Sequence, residues 1–312
     1  MRSLTIDEVV INKARSVGAE SWLDGLPDLV DEIERRWSIT VGPSLSGGTE
    51  AWVGEAVDDR GRPSVLKLCL PRPAGDPFDE AVREATILEL AGGAGCAELY
   101  RADLDRGALL IERLGPSMAD LDVPYPERLD VLGRVCTELW RPPGDIELPT
   151  GADKAVWLAD HVRTTWEELD RPCSEAAVEQ ALAAGERRRR AHDPECAVLV
   201  HGDVHQWNTL RADGAPSGWK LIDPDGLVAE PEYDLGILLR EDPEESMGDI
   251  EAGDPRLRAR QLAATTGTDA DAVWDWGLIE RVSTGLLATR IELQPVGREM
   301  LAVADRLADL AP

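Results

Sequence analysis

The sequence predicts an α+β chain of two lobes, a small N-terminal lobe with an antiparallel sheet and one key helix, then a larger, mainly helical C-terminal lobe. Three observations carry this. Short apolar runs separated by Gly-, Asp- and Pro-bearing turns fill residues 38–114. Helical periodicity dominates from residue 115 onward. A polar stretch framed by short apolar runs, residues 197–226, interrupts those helices. The expected division is 1–113 and 114–312, and 312 residues suffice for both parts to bury a core.

In chain order, residues 6–37 read as packing helices, with Trp22, Leu26, Leu29, Val30, Ile33 and Trp37 at three- and four-residue steps. Pro27 is expected in the first turn of the second of them. Strands follow at Ile39 to Val41, Ala51 to Val57 and Ser64 to Leu70. The loop Gly42 to Gly48, with Ser46 and Gly47, joins the first two. Glycine lets backbone amides approach a phosphate there, but the loop has no G-x-G-x-x-G and reads equally as a plain hairpin. Lys67 stands inside the third strand between Leu66 and Leu68. It is either the outward face of a half-buried sheet or a lysine that grips phosphates. The second reading needs a carboxylate on the helix from Phe78 to Leu90, where Glu84 borders the apolar side and Glu80 is its rival. Strands at Ala97 to Leu104 and Ala108 to Leu114 complete a five-stranded sheet, and Glu112 to Leu114 leave it toward the second part.

Helices are expected at 125–140, 152–170, 174–192, 254–266, 270–290 and 296–310, with one more beginning at Pro231 and reaching Arg240. The run Arg187 to Arg190 reads as a solvated face near a helix C-terminus. The stretch VHGDVHQWNTL, a turn at Ala212 to Ser217, and GWKLIDPDG give a short strand, a polar loop, a tight hairpin and a carboxylate at a strand end. Phosphoryl transfer needs such parts: a carboxylate to orient the attacking hydroxyl, and an amide oxygen with a second carboxylate for magnesium. Asp203, Asn208 and Asp223 supply those residue types, and His201-Gly202-Asp203-x-x-x-x-Asn208 is similar to the kinase pattern H-R-D-x-x-x-x-N. Asp234 reads either as a support accepting backbone hydrogen bonds from this loop or as a first-turn helix carboxylate.

The net charge of −27 argues against nucleic acid and anionic membranes and suits a cationic small molecule, although solubility alone explains it as well. Five cysteines without a C-x-x-C, with Cys69, Cys136 and Cys196 in apolar surroundings, point to reduced, mostly buried thiols. No signal peptide or membrane-length apolar run is evident, so the expectation is a soluble cytoplasmic protein, a monomer or homodimer. The alternating residues His201, Asp203 and His205 leave a metal-dependent hydrolase as a rival, short of imidazoles with four histidines in all. A kinase-like binding protein without turnover is the other.

WLDGLPDLVDEIERRW, SVLKLCLPRP, GALLIERL, VHGDVHQWNTL and WKLIDPDGLVAEPEYDLGILLR resemble the aminoglycoside phosphotransferase family, a kinase-like fold, and within it the streptomycin and hydroxyurea branch. The resemblance implies ATP and Mg2+, with Asp203 as base and Asn208 and Asp223 as magnesium ligands. It also implies Lys67 and Glu84 as the phosphate-gripping pair, Glu112, Arg113 and Leu114 as an adenine hinge, and His201 and Asp234 as supports. Asp225, Glu230 and Glu232, with the helix bearing Asp271, Asp275 and Glu280, are the acidic candidates for a cationic acceptor. Departures are Asp223-Pro224-Asp225-Gly226 in place of D-F-G, no A-P-E, and no long activation segment, which argues against a protein substrate.

Overall fold

The computed structural model describes residues 4–72, 80–146 and 148–310. The chain forms two compact units, Met1–Gly115 and Pro116–Pro312. In the first unit, α1 (Glu8–Ser16) and α2 (Glu20–Trp37) precede β1 (Ile39–Ser44), β2 (Ala51–Asp58) and β3 (Pro63–Cys69). Next come α3 (Glu80–Ala91), β4 (Leu99–Asp103) and β5 (Ala108–Glu112). The strands form one antiparallel sheet in the order β1-β2-β3-β5-β4. Leu26, Val30, Ile33 and Trp37 of α2 pack with Trp52, Leu66 and others of the sheet.

Two expectations change here. Pro27 lies inside α2, not in its first turn. Burying those four apolar side chains, at about 1.5–3 kcal/mol each, outweighs about 3 kcal/mol for an interior proline. β1 runs on through Gly42 and Pro43 to Ser44, with its register shifting between Val41 and Ser44. As the edge strand it tolerates a proline that a central strand would reject. The expected helix start at Phe78 lies outside the described residues.

In the second unit, α4 (Tyr125–Leu139), α5 (Gly151–Glu168) and α6 (Glu175–Ala191) lead to four short strands. These are β6 (Val198–Val200), β7 (Thr209–Arg211), β8 (Trp219–Leu221) and β9 (Leu227–Ala229). β6 pairs with β9 and β7 with β8, both antiparallel. Then come α7 (Glu232–Arg240), α8 (Pro243–Glu251), α9 (Leu257–Thr266), α10 (Ala270–Arg290) and α11 (Val296–Asp309). Sequence reasoning misses α8, an acidic segment with little apolar periodicity, and β9, which is three residues long. α10 is buried along most of its length and packs against α5, α6, α7, α9 and α11, as a helix without a polar face should.

The Arg187–Arg190 run is largely the expected solvated face: Arg187, Arg189 and Arg190 are exposed, and Arg188 alone is half-buried. Arg187 and Arg188 pair with Asp275, Arg188 also with Glu230, and Arg189 and Arg190 with Glu186. Cys69, Cys96, Cys136 and Cys173 are buried, but Cys196 is exposed in the turn before β6, contrary to its apolar sequence neighbours. Among the described residues no helix is long and apolar enough to cross a membrane.

α7 and α10 approach closely because each presents a glycine. A Cβ on Gly236 would fall 2.2 Å from Trp276 Cβ, and one on Gly277 2.7 Å from Leu239 Cδ1. Gly236→Ala should therefore destabilise the protein by about 1–3 kcal/mol through overpacking, read as a lower urea midpoint. An unchanged midpoint would show that the crossing has slack.

Candidate active site

The loop between β6 and β7 is held from below by a buried carboxylate. Asp234, in the first turn of α7, is fully buried. Its Oδ2 accepts from the His201 N–H (3.0 Å) and the Trp140 indole N–H (2.9 Å). Its Oδ1 accepts from the Gly202 N–H at 2.9 Å. Burial pushes the Asp234 carboxyl up, and these three hydrogen-bond donors work against that. Gly202 has φ +89°, and a Cβ there would sit 3.0 Å from Asp225 and Leu227, so the turn requires glycine.

His201 has no exposed surface. Its Nε2 lies 2.9 Å from the Ile222 carbonyl, so that nitrogen donates, and its Nδ1 accepts from the Asp203 N–H at 3.2 Å. Both contacts require the neutral ring, and burial pushes its pKa down. The ring thus ties the loop to the end of β8, next to Asp223.

Asp203 is half-exposed, with 36 % of its side chain accessible. Oδ1 accepts from Arg240 Nη2 at 2.8 Å, and Oδ2 lies 3.2 Å from His205 Nε2. Burial acts to raise its carboxyl, but the His205 hydrogen bond and the Arg240 charge prevail and hold it well below the usual carboxylate range. Asn208 turns Nδ2 toward the Asp203 carbonyl (3.2 Å) and Oδ2 (3.4 Å), which leaves Oδ1 as the oxygen suited to a hard cation. The Asn208 carbonyl accepts from the Ile222 N–H at 2.9 Å, bringing Asp223 alongside. Asp223 adopts the left-handed conformation, φ +57°. An amide oxygen beside a carboxylate is a donor pair that fits magnesium. The same contacts remove the hydrolase rival, since both ring nitrogens of His201 are engaged. No cluster of three His, Cys, Asp or Glu suited to a metal occurs among the described residues.

In the first unit, Lys67 Nζ meets Glu84 Oε2 at 2.6 Å, and the two residues are 4 % and 1 % exposed. Lys67 is therefore not on an open sheet face; β3 is covered on both sides. The side chain of its rival, Glu80, lies outside the described residues. Glu112 accepts from the Glu98 N–H at 3.0 Å, Arg113 pairs with Glu55 at 3.0 Å, and Leu114 is buried. Gly47 has φ +106° and donates its N–H to Asp7 at 2.9 Å, so that amide is not turned to a phosphate in this arrangement. Ser46 lies in the same bend.

The acidic candidates separate into two kinds. Glu230 accepts from the Trp276 indole at 2.7 Å and pairs with Arg188; Asp275 is bound by Arg187 and Arg188. Glu280 is buried and accepts from Tyr233 and Arg240. All three are engaged by neighbouring side chains in this structure. Asp225 is exposed, with Lys154 at 3.9 Å. Glu232 accepts from the Asp269 N–H at 2.9 Å, and Asp271 pairs with Arg256. Arg240 is the residue sequence reasoning missed; nothing in its local pattern separates it from an ordinary cation in a helix's last turn.

Residues 36–291 match the family described as aminoglycoside/hydroxyurea antibiotic resistance kinase. Over 235 residues the chain is 30% identical to streptomycin 6-kinase of Streptomyces glaucescens, covering 71% of this chain and 70% of that one. It is 29% identical over 294 residues to hydroxyurea phosphotransferase of Kitasatospora aureofaciens, covering 87% and 75%. Among solved structures, choline kinase from Cryptosporidium parvum matches with a TM-score of 0.56 at 12% identity, covering 90% of this chain and 92% of that one, a likeness of fold alone.

His201 gives a pH prediction. A histidine whose pKa is depressed on folding adds stability above its unfolded value, about 6.5, and that stability is lost as pH falls below it. Wild-type unfolding free energy should drop below that pH by up to about 1.4 kcal/mol per unit more steeply than in His201→Gln. Parallel pH profiles for the two proteins would contradict the neutral, buried ring.

Proposed function

This chain belongs to the aminoglycoside/hydroxyurea antibiotic resistance kinase family, and from that premise we propose that it transfers the γ-phosphoryl group of ATP to a hydroxyl of a cationic small molecule, an aminoglycoside such as streptomycin. The observation that carries this is the loop geometry: a half-exposed, ionised Asp203, with Asn208 turned to it and Asp223 tied alongside.

Asp203 orients the acceptor hydroxyl and takes its proton through Oδ2. The acceptor oxygen bonds to the γ-phosphorus as the bond to the bridging β,γ-oxygen breaks, and ADP leaves. Lys67, aimed by Glu84, contacts the α- and β-phosphates. Asn208 Oδ1 and the Asp223 carboxylate would hold magnesium, which when bound neutralises charge on the phosphates. Positioning and electrostatics supply most of the rate. The net charge of −27 favours capture of a cationic acceptor, and Asp225 is an exposed acidic candidate to meet it.

The test is a mass-spectrometric screen with ATP and magnesium. Streptomycin, other aminoglycosides and hydroxyurea would be offered separately. The expected result is one phosphoryl group gained by an aminoglycoside, abolished by Asp203→Ala with nucleotide binding kept. Lys67→Ala should slow it by about 100-fold or more. Phosphorylation of hydroxyurea alone would replace the acceptor. Near-normal turnover in Asp203→Ala would remove that residue as the base, and ATP binding with no product on any compound would favour a protein without turnover.

A further inference from the structure

We propose that Arg240 is the positioning residue of the base: it fixes Oδ1 of Asp203 from the side of α7, so that Oδ2 is presented to the acceptor hydroxyl, and Glu280 fixes Arg240 in turn. The proposal rests on the phosphotransfer reading of Asp203.

The guanidinium of Arg240 is a planar fork with both prongs engaged. Nη1 donates to Glu280 Oε2 at 2.9 Å and to Thr284 Oγ1 at 3.2 Å, and Nη2 donates to Asp203 Oδ1 at 2.8 Å. Holding one prong of a rigid fork sets the direction of the other, which a lysine ammonium cannot do. The Arg240 side chain is 12 % exposed and that of Glu280 3 %, so the fork has little room to swing. Glu280 is held at its other oxygen by the Tyr233 hydroxyl, 2.8 Å away, and Glu241 faces Arg240 Nε at 3.5 Å. The Gly236–Trp276 and Gly277–Leu239 contacts set the crossing of α7 and α10 that brings Arg240 to Glu280.

Asp203 has weaker restraint elsewhere. His205 and Asn208 touch Oδ2 at 3.2 and 3.4 Å, longer than the Arg240 contact. Glu280 and Thr284 satisfy Nη1, and the Nη2 contact to Asp203 gives the other prong of this largely buried guanidinium its acceptor. Its effect is to fix the plane of the Asp203 carboxylate. Small misplacements of a reacting group lower rates by about 100-fold, so a fixed plane matters to turnover.

The experiment compares kcat, both KM values, ATP affinity by calorimetry and urea midpoint, using the acceptor that wild type phosphorylates. Arg240→Met should lower kcat by about 100-fold with ATP affinity unchanged. Arg240→Lys, which keeps the charge and loses the fork, should fall nearly as far. Added to Asp203→Asn in single-turnover measurements, Arg240→Met should cost little more, because the two act as one unit. Wild-type kcat in Arg240→Met or Arg240→Lys would overturn the proposal. So would a loss that multiplies in full with that of Asp203→Asn, which marks a separate structural role. Should Arg240→Met not fold, Arg240→Lys carries the same comparison. Wild type without transfer to any acceptor overturns the phosphotransfer reading, and the proposal with it; an active wild type with an equally active Arg240→Lys overturns the proposal alone.

Discussion

A fully buried carboxylate with three donors holds the candidate site together. Asp234 accepts from two consecutive backbone amides, His201 and Gly202, and from the Trp140 indole. Those amides lie at the end of β6, where the chain leaves the strand and no ladder partner remains. An unpaired buried amide costs about 1–3 kcal/mol, so the turn into the loop is tenable only with an acceptor beneath it. A buried carboxylate is itself costly without several donors. Each side of the contact makes the other possible, and the positive φ of Gly202 follows from the direction this anchoring imposes.

From that anchor the loop is organised by short local contacts. His201 joins it to the Ile222 carbonyl, and the Asn208 carbonyl joins it again to the Ile222 amide. Backbone and imidazole hydrogen bonds thus set the spacing of Asp203, Asn208 and Asp223, and the Asn208 amide and Arg240 add side-chain contacts to Asp203. This suits phosphoryl transfer, where protein groups work by being in place before the reaction. α7 contributes three times over: Asp234 under the loop, Tyr233 to Glu280, and Arg240 to Asp203.

What could be read in the sequence was what depends on near neighbours. The offsets among His201, Asp203 and Asn208, and Asp223 after an apolar pair, are local patterns that survive folding unchanged. Lys67 and Glu84 were readable because a strand followed by a helix brings such residues together. The partners of Arg240, Glu280, Asp275 and Glu230 were not readable. They lie about 40 to 90 residues apart in the chain and meet through α7, α10 and α6. A carboxylate at Asp275 or Glu280 looks in sequence like any acidic helix residue; only the inward turn of α10 decides that it pairs with arginine. The extent of β1, the interior Pro27 and the exposed Cys196 likewise depend on sheet edge, helix packing and turn placement.

The claim that the buried Asp234 carboxylate makes the loop a working site is tested most directly with Asp234→Asn. The amide nitrogen replaces one acceptor oxygen, so the His201 or the Gly202 amide loses its partner. Amide hydrogen exchange at those two residues and single-turnover transfer from ATP would be measured on the same protein. The account predicts faster exchange at one or both amides and a rate lower by about tenfold or more, with ATP affinity unchanged. Wild-type exchange protection together with a wild-type rate would contradict it.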